Sequence, residues 1–294
     1  MAYLGETYAL ITALIWGFAV ILFKKSGETV HPISLNLFKN LLAIGLFLPT
    51  MMLMGEPLFR DAPRSDYYLL LASGILGIGI SDTLFFQSLN LLGASLSAIV
   101  DCMYSPFIIA LSILWLGESL TPLQVVGVIM IISAVLTATL ERSGGTISRR
   151  NLFWGVVLGV LAMATMAVGI VGIKPLLERS PLLWALEWRL VGGVMVLVVV
   201  LLLHPGRRAI LGTLAPGRGW KYMLGGSFLG TYLALLLWLA GMKYADASIA
   251  AALNQSSNVF VFIFAAIFLK EVINTQRIIG IALGIGGVFV VMMG

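Results

Sequence analysis

Charge, cysteine and histidine are all scarce in this chain. Of its 294 residues 11% are charged and 60% hydrophobic, with a mean hydropathy of +1.04. A soluble domain carries about 25% charged residues, so a soluble globule is excluded. A single cysteine, Cys102, rules out an intramolecular disulfide and any paired-cysteine metal site. The two histidines, His31 and His204, stand beside Pro32 and Pro205 at loop edges and read as helix-end residues rather than ligands. No metal and no cofactor is expected. No Ser/His or Cys/His arrangement falls inside an apolar run, so enzymatic chemistry is not expected. No Gly-x-x-x-x-Gly-Lys-[Ser/Thr] loop occurs, so ATP is not an energy source through this chain. The formal charge of +5 sits in short loops, not in a basic stripe with interleaved aromatics, and nucleic-acid binding is not expected.

What the chain has is apolar runs. Ten can be drawn: Thr7–Phe23, Pro32–Met54, Tyr67–Leu89, Ser95–Leu116, Pro122–Leu140, Leu152–Ile173, Leu182–Leu203, Trp220–Met242, Ala247–Leu269 and Gln276–Met293. Each is long enough, at about 1.5 Å per residue, to cross about 30 Å of hydrocarbon. The first run has no basic residue before it and Lys24-Lys25 after it, the reverse of a secretory signal, so it is expected to remain as helix one. The longest polar stretch, Glu141 to Asn151, falls mid-chain and reads as the hinge between halves.

The halves repeat. Gly117-Glu118 followed by Gly127 returns as Lys270-Glu271 followed by Gly280, 153 residues on (271 − 118). An odd number of helices per half forces the halves into opposite orientation. The expected fold is therefore all-α, ten transmembrane helices as two inverted five-helix repeats around a central cavity. The repeats are expected at 1–141 and 152–294, joined by 142–151. Halves that rock about a shared midplane site can expose it to each side in turn. Gly280, Gly284 and Gly287 in the last run, and Gly127, Ala134 and Ala138 in the fifth, allow close backbone approach, so these two helices read as packing elements.

In order and spacing these residues resemble the drug/metabolite transporter superfamily, in its EamA-type ten-helix members. The first half carries Trp16-Gly17, Pro32 with Lys39, Pro106, Gly117-Glu118 and Gly127. The second repeats Pro181 with Arg189, Ala245-Asp246-Ala247-Ser248-Ile249-Ala250-Ala251, Lys270-Glu271 and Gly280. Met166-Ala167 stands where Trp-Gly would repeat, Val259 where the proline would, and Lys39 where arginine is usual. The resemblance implies a cavity between helices one, three, four, six, eight and nine, and cytoplasmic termini. The loop charges point the other way: eleven Lys and Arg lie on the side opposite the termini and five on theirs, which by the positive-inside rule puts the termini outside. We follow the resemblance.

Ionisable groups inside a membrane are costly and mark candidate sites. Asp82 and Asp101 are the carboxylates furthest from any loop, and Asp101 shares a helix face with Ser97, Tyr104 and Ser105. The 153-residue offset carries Asp101 to Asn254 and Tyr104 to Ser257. These lie in the run Asn254-Gln255-Ser256-Ser257-Asn258, which cannot all face lipid. Among the aromatics Trp16, Phe85, Phe86, Tyr232 and Trp238, only Trp16 is retained for the cavity, because Trp and Tyr are also common membrane-helix filler. The candidate substrate-binding set is Trp16, Asp82, Asp101, Tyr104, Asn254, Gln255 and Ser257. Lys39 and Arg189 stand at matching positions and could each clamp an anionic substrate, but Glu187 nearby and the snorkelling of their long stems favour reading them as structural braces.

The function these residues and the resemblance imply is a secondary transporter exporting small metabolites, amino acids or related amines, by alternating access. The partners expected are a small-molecule substrate, the lipid bilayer and protons as coupling ion, with the chain acting as a monomer in a bacterial inner membrane. The rival readings are efflux of hydrophobic cations, a non-transporting scaffold, and an intramembrane aspartyl protease. The protease's Gly-x-Gly-Asp pattern is missing around Asp82 and Asp101.

Overall fold

The computed structural model describes residues 4–116, 121–139, 147–217, 219–244 and 253–293. Gly117-Glu118, Arg142, Arg218 and the Ala245–Ala251 motif lie outside them, as does the side chain of Ala138. Among the described residues the chain is helical, without strands. Seven helices are long and apolar enough to cross a membrane. We name them α1 (Leu4–Ser26), α2 (Pro32–Met54), α3 (Arg64–Leu92), α4 (Ala94–Trp115), α6 (Arg149–Val171), α7 (Leu182–Leu203) and α8 (Trp220–Gly241). Three shorter apolar helices complete the set: α5 (Pro122–Thr139), α9 (Leu253–Phe268) and α10 (Thr275–Met293). Large apolar side chains such as Leu53, Leu114 and Leu203 cover the perimeter, the surface that a bilayer would meet.

Local sequence sets the helix ends. At α2, Pro32 occupies the first turn, where its missing N–H costs nothing, and His31 Nδ1 accepts from the Ile33 N–H at 3.3 Å. The helix stops at Gly55, whose φ of +69° suits glycine, and the Glu56 N–H closes back on the Met51 carbonyl. Ahead of α5, Thr121 and Gln124 cap each other reciprocally, side chain to main-chain N–H at 3.2 and 3.1 Å. Asn274, 153 residues after Thr121, caps α10 in the same way by accepting from the Arg277 N–H at 2.9 Å.

Helix pairing follows a pattern that survives exchange of the halves. α1 packs on α8 and α9, as α6 packs on α3 and α4. α2 packs on α7 and α8, as α7 packs on α2 and α3, while α5 pairs with α10 and α4 meets α9. At the α5–α10 crossing a Cβ on Gly127 would lie 2.6 Å from the Gly287 carbonyl, so side chains larger than hydrogen are barred there. Gly280 approaches Ala134 in the matching place. These glycines are packing residues, as expected from the sequence.

Loop contacts fall into two sets. Lys24 donates to the Asn90 carbonyl at 3.1 Å, and the His31 N–H to Thr213 at 3.1 Å, among connections that follow odd-numbered helices. Arg179 pairs with Asp66 at 2.7 Å, and Lys243 donates to the Ser180 carbonyl, among connections that follow even-numbered helices. A chain that crosses the bilayer at each helix brings its loops together in this way.

Four interruptions, absent from the expected helices, occur in two matching pairs. α3 carries a π-type stretch at Ile75–Ile80 and α8 one at Ser227–Ala234. α4 breaks at Cys102-Met103, and α9 turns at Ser256, 153 residues after Met103. The α4 break has a local cause, since Pro106 has no N–H and its ring crowds the Cys102 carbonyl one turn back. In α9 no proline is available, and Ser256 Oγ takes up the Leu253 carbonyl instead.

Candidate functional site

The interruptions surround a cavity of about 110 Å³ at the centre of the bundle. All seven candidate residues line it: Trp16 from α1, Asp82 from α3, Asp101 and Tyr104 from α4, and Asn254, Gln255 and Ser257 from α9. The wall comes from helices one, three, four, six, eight and nine, joined by Lys39 from α2 and Arg189 from α7. Most of it is paired between halves. Gly77, Ile78, Asp82, Phe85, Asp101 and Tyr104 are answered 153 residues on by Gly230, Thr231, Leu235, Trp238, Asn254 and Ser257. Trp16 and Lys39 are answered 150 residues on (189 − 39) by Met166 and Arg189.

The first half builds a polar network behind this wall. Lys39 Nζ pairs with Asp82 Oδ2 at 2.6 Å and also donates to Asn40 Oδ1 at 3.0 Å. Asn40 donates to Asn36 Oδ1, and Asn36 Nδ2 reaches the Ile78 and Gly79 carbonyls at 3.0 Å each. Those two carbonyls belong to the π-type stretch of α3, so the irregular helix turn is held by the chain that holds the ion pair. Buried polar groups of this kind are stable only when every member is satisfied.

In the second half Arg189 is 2% exposed, and its Nε donates to Ser73 Oγ at 3.0 Å. Ser73 in turn donates to the Gly169 carbonyl. A methyl group on Gly74 would overlap the Arg189 carbonyl, and this close approach of α3 to α7 carries the guanidinium to the cavity. Arg189 also lies 5.7 Å from the centre of the Trp238 ring. Glu187 is buried without an ion pair among the described residues, so it is no brace for Arg189. Lys39 instead pairs with Asp82, a residue of the candidate substrate-binding set.

In the polar run of α9, Gln255, Ser257 and Asn258 are buried and Asn254 and Ser256 half-buried. Gln255 and Asn258 bond each other at 2.6 Å, and Gln255 reaches the Asp101 main-chain carbonyl at 3.5 Å. Ser97, Asp101, Trp16, Phe85 and Asn258 border a small adjoining hollow. Ser105 borders neither space. Phe85 and Trp238, set aside at the sequence level as filler, line the main cavity, whereas Tyr232 turns away to bond Thr50 at 2.8 Å. Four lining atoms have no hydrogen-bond partner among the described residues: Tyr104 Oη, Arg189 Nη1, Thr231 Oγ1 and Asn254 Oδ1.

A multi-pass bundle of apolar helices closed around a central cavity with buried charge is the build of a membrane transporter. The chain belongs to the EamA-like transporter family, whose profile matches residues 3–140 and again 153–293. An "uncharacterized transporter" of Archaeoglobus fulgidus is 26% identical over 93% of this chain and 92% of its own length. One of Methanothermobacter thermautotrophicus is also 26% identical, over 96% of this chain and 84% of its own. The "uncharacterized inner membrane transporter YhbE" of Escherichia coli is 28% identical over 60% of this chain and 56% of its own. A protein of known crystal structure, 18% identical, shares the fold with a TM-score of 0.66 over 95% of either chain.

Proposed function

We propose that the protein is a secondary transporter that exports small metabolites bearing an amine, amino acids and related amines, by alternating access. One observation carries this reading: the cavity wall is made of residues paired between halves, with a carboxylate, Asp101, on one side and the amide of Asn254 at the matching place on the other. A site shared by two similar halves is one that either half can close over in turn. The exchange-symmetric helix pairing supports two inverted five-helix repeats, at 1–141 and 152–294. Helices broken at the site supply the hinge points such motion uses.

The amine preference follows from charge. Asp82 is already neutralised by Lys39 at 2.6 Å, whereas Asp101 makes no ion pair among the described residues and faces the cavity. Trp16, Phe85 and Trp238 add aromatic rings, which favour a cation over their faces. Asp101 is also the carboxylate at which a coupling proton would bind. A two-aspartate protease draws no support here, because Asp82 is engaged by Lys39. The monomeric state, cytoplasmic termini and a location in the inner membrane, as the YhbE name gives for that protein, belong to the same reading.

The test is counterflow in proteoliposomes with a radiolabelled panel of amino acids, their decarboxylated amines and hydrophobic cations, at matched and opposed pH gradients. Accumulation of amino acids or amines supports the reading. Accumulation of hydrophobic cations alone assigns the protein to drug efflux, and no accumulation of any probe overturns a transport function for amines.

A further inference from the structure

The two halves of the cavity differ chemically, and the difference falls on Arg189. On α3, Asp82 answers Lys39; its counterpart on α8 is Leu235, which cannot answer Arg189. Beyond the Ser73 hydroxyl, the Trp238 face and the more distant charge of Asp82, which Lys39 already engages, the guanidinium meets no carboxylate within ion-pair distance among the described residues, and Nη1 has no acceptor among them. Tyr104, on the wall of the same cavity, is 5% exposed, and its hydroxyl also has no partner among the described residues. Two buried donors on the wall of one cavity, both open, need an acceptor that the described protein does not supply.

We propose that Arg189 and Tyr104 form an anion subsite that takes the carboxylate of a zwitterionic substrate. The planar guanidinium offers parallel N–H groups that match a carboxylate, which a lysine at this place could not. Tyr104 lies one helical turn from Asp101 and lines the same cavity as Asp101 and Arg189, so one space meets a carboxylate, a hydroxyl and a guanidinium. The four ionisable groups Lys39, Asp82, Asp101 and Arg189 sum to zero formal charge, and with Lys39 and Asp82 paired, Arg189 and Asp101 are left without an ion pair among the described residues. A neutral molecule with split charge, such as an α-amino acid, satisfies both ends. A simple amine leaves Arg189 unmet, and a site with an unmet buried donor discriminates against such a ligand. The amine end rests on the function proposed above; the anion end does not.

Three probes that share one ring separate the two ends: L-phenylalanine, phenethylamine, which lacks the carboxylate, and 3-phenylpropionate, which lacks the amine. Affinities are measured by calorimetric titration of the purified full-length protein, with thermal melting to confirm folding. The wild-type protein should bind L-phenylalanine at least about tenfold more tightly than phenethylamine, the gap set by one charge-assisted hydrogen bond. Arg189→Gln should weaken L-phenylalanine and 3-phenylpropionate by roughly ten- to hundredfold, and phenethylamine by much less. Arg189→Lys should recover part of the loss. Tyr104→Phe, a change of one oxygen, should weaken the two carboxylates by about fivefold, and it carries the test if Arg189→Gln does not fold.

Arg189-dependent binding of 3-phenylpropionate without binding of either amine keeps the anion subsite and overturns the amine reading. Binding of phenethylamine alone does the reverse. Equal weakening of all three probes, or carboxylate binding untouched by Arg189→Gln and Tyr104→Phe, overturns the anion subsite.

Discussion

Lys39 Nζ sits 2.6 Å from Asp82 Oδ2 in the cavity wall, and the pair bridges α2 to the irregular turn of α3. Breaking one side of such a pair leaves a buried charge unmet, which costs about 3–5 kcal/mol, whereas removing both charges can cost little. Asp82→Asn and Lys39→Met should each lower the melting temperature of the detergent-solubilised protein. The double variant Lys39→Met/Asp82→Asn should be much more stable than the two losses added together. Additive losses in a double-mutant cycle would show that the two side chains act separately.

Glu271 accepts hydrogen bonds from the N–H groups of Ala94 at 2.7 Å and Ser95 at 3.0 Å, and from the Ser95 hydroxyl. It thus caps α4 from the far half of the chain, next to Gly93, whose φ of +83° turns the chain into the helix. A carboxylate at this place meets the open N–H groups and the positive end of the helix together. Glu271→Ala should cost about 1.5–3 kcal/mol, the range for hydrogen bonds to a charged group. Glu271→Gln, which keeps one acceptor oxygen, should cost less. Equal melting of all three proteins would remove the cap from the list of what holds α4.

His31 gives a stability signal with pH. Burial, and then the charge of neighbouring His204, lower its pKa from the ordinary histidine value, and its neutral Nδ1 is the acceptor that caps α2. The folded protein therefore binds this proton less readily than the unfolded chain. Its contribution is fully present above the unfolded value of about 6.5 and is lost as pH falls through the lower folded value. Melting temperature should hold steady from neutral to mildly alkaline pH and fall below about pH 6.5. His31→Asn, which retains a capping acceptor but does not titrate, should flatten that fall. An unchanged slope in His31→Asn would place the titration elsewhere.

The hydropathy pattern made the fold legible to the residue in places: α2 and α7 begin and end where the apolar runs Pro32–Met54 and Leu182–Leu203 do. The cavity residues were legible for a related reason, since a carboxylate or an amide inside an apolar run must find protein or water. What hydropathy cannot register is the hydrogen-bond pattern of the backbone. The π-type stretches of α3 and α8 and the turn at Ser256 therefore left no mark beyond clustered glycines such as Gly74, Gly77 and Gly79. The sequence favours a brace at Arg189 from Glu187 nearby and from the snorkelling of its long stem. Residues two apart on a helix do not face each other, and the contact that matters, Ser73, is 116 residues distant in sequence. Phe85 and Trp238 carried no signal of their own, because an aromatic ring suits both a lipid-facing belt and a cavity wall.

Asp101 and Asn254 stand 153 residues apart (254 − 101) at corresponding places of α4 and α9, and both border the cavity. The pair offers a direct test of whether the charge or its surroundings select an amine. Asp101→Asn keeps the shape of the wall and makes the two halves alike there. It should weaken phenethylamine binding by roughly ten- to hundredfold, the equivalent of about 1.5–3 kcal/mol for one hydrogen bond to a charged group. Melting should change little, because Asp101 makes no ion pair among the described residues. The exchanged variant Asp101→Asn/Asn254→Asp returns one carboxylate to the cavity from the opposite half. If charge within the cavity is what holds the amine, the exchange should recover a large part of the lost affinity. If Tyr104, one turn away on α4, and Arg189 hold the substrate carboxylate, recovery should be greater for phenethylamine than for L-phenylalanine, whose carboxylate must still reach that pair. Unchanged affinity in Asp101→Asn would overturn the amine site and leave Asp101 as a residue that only holds helices together.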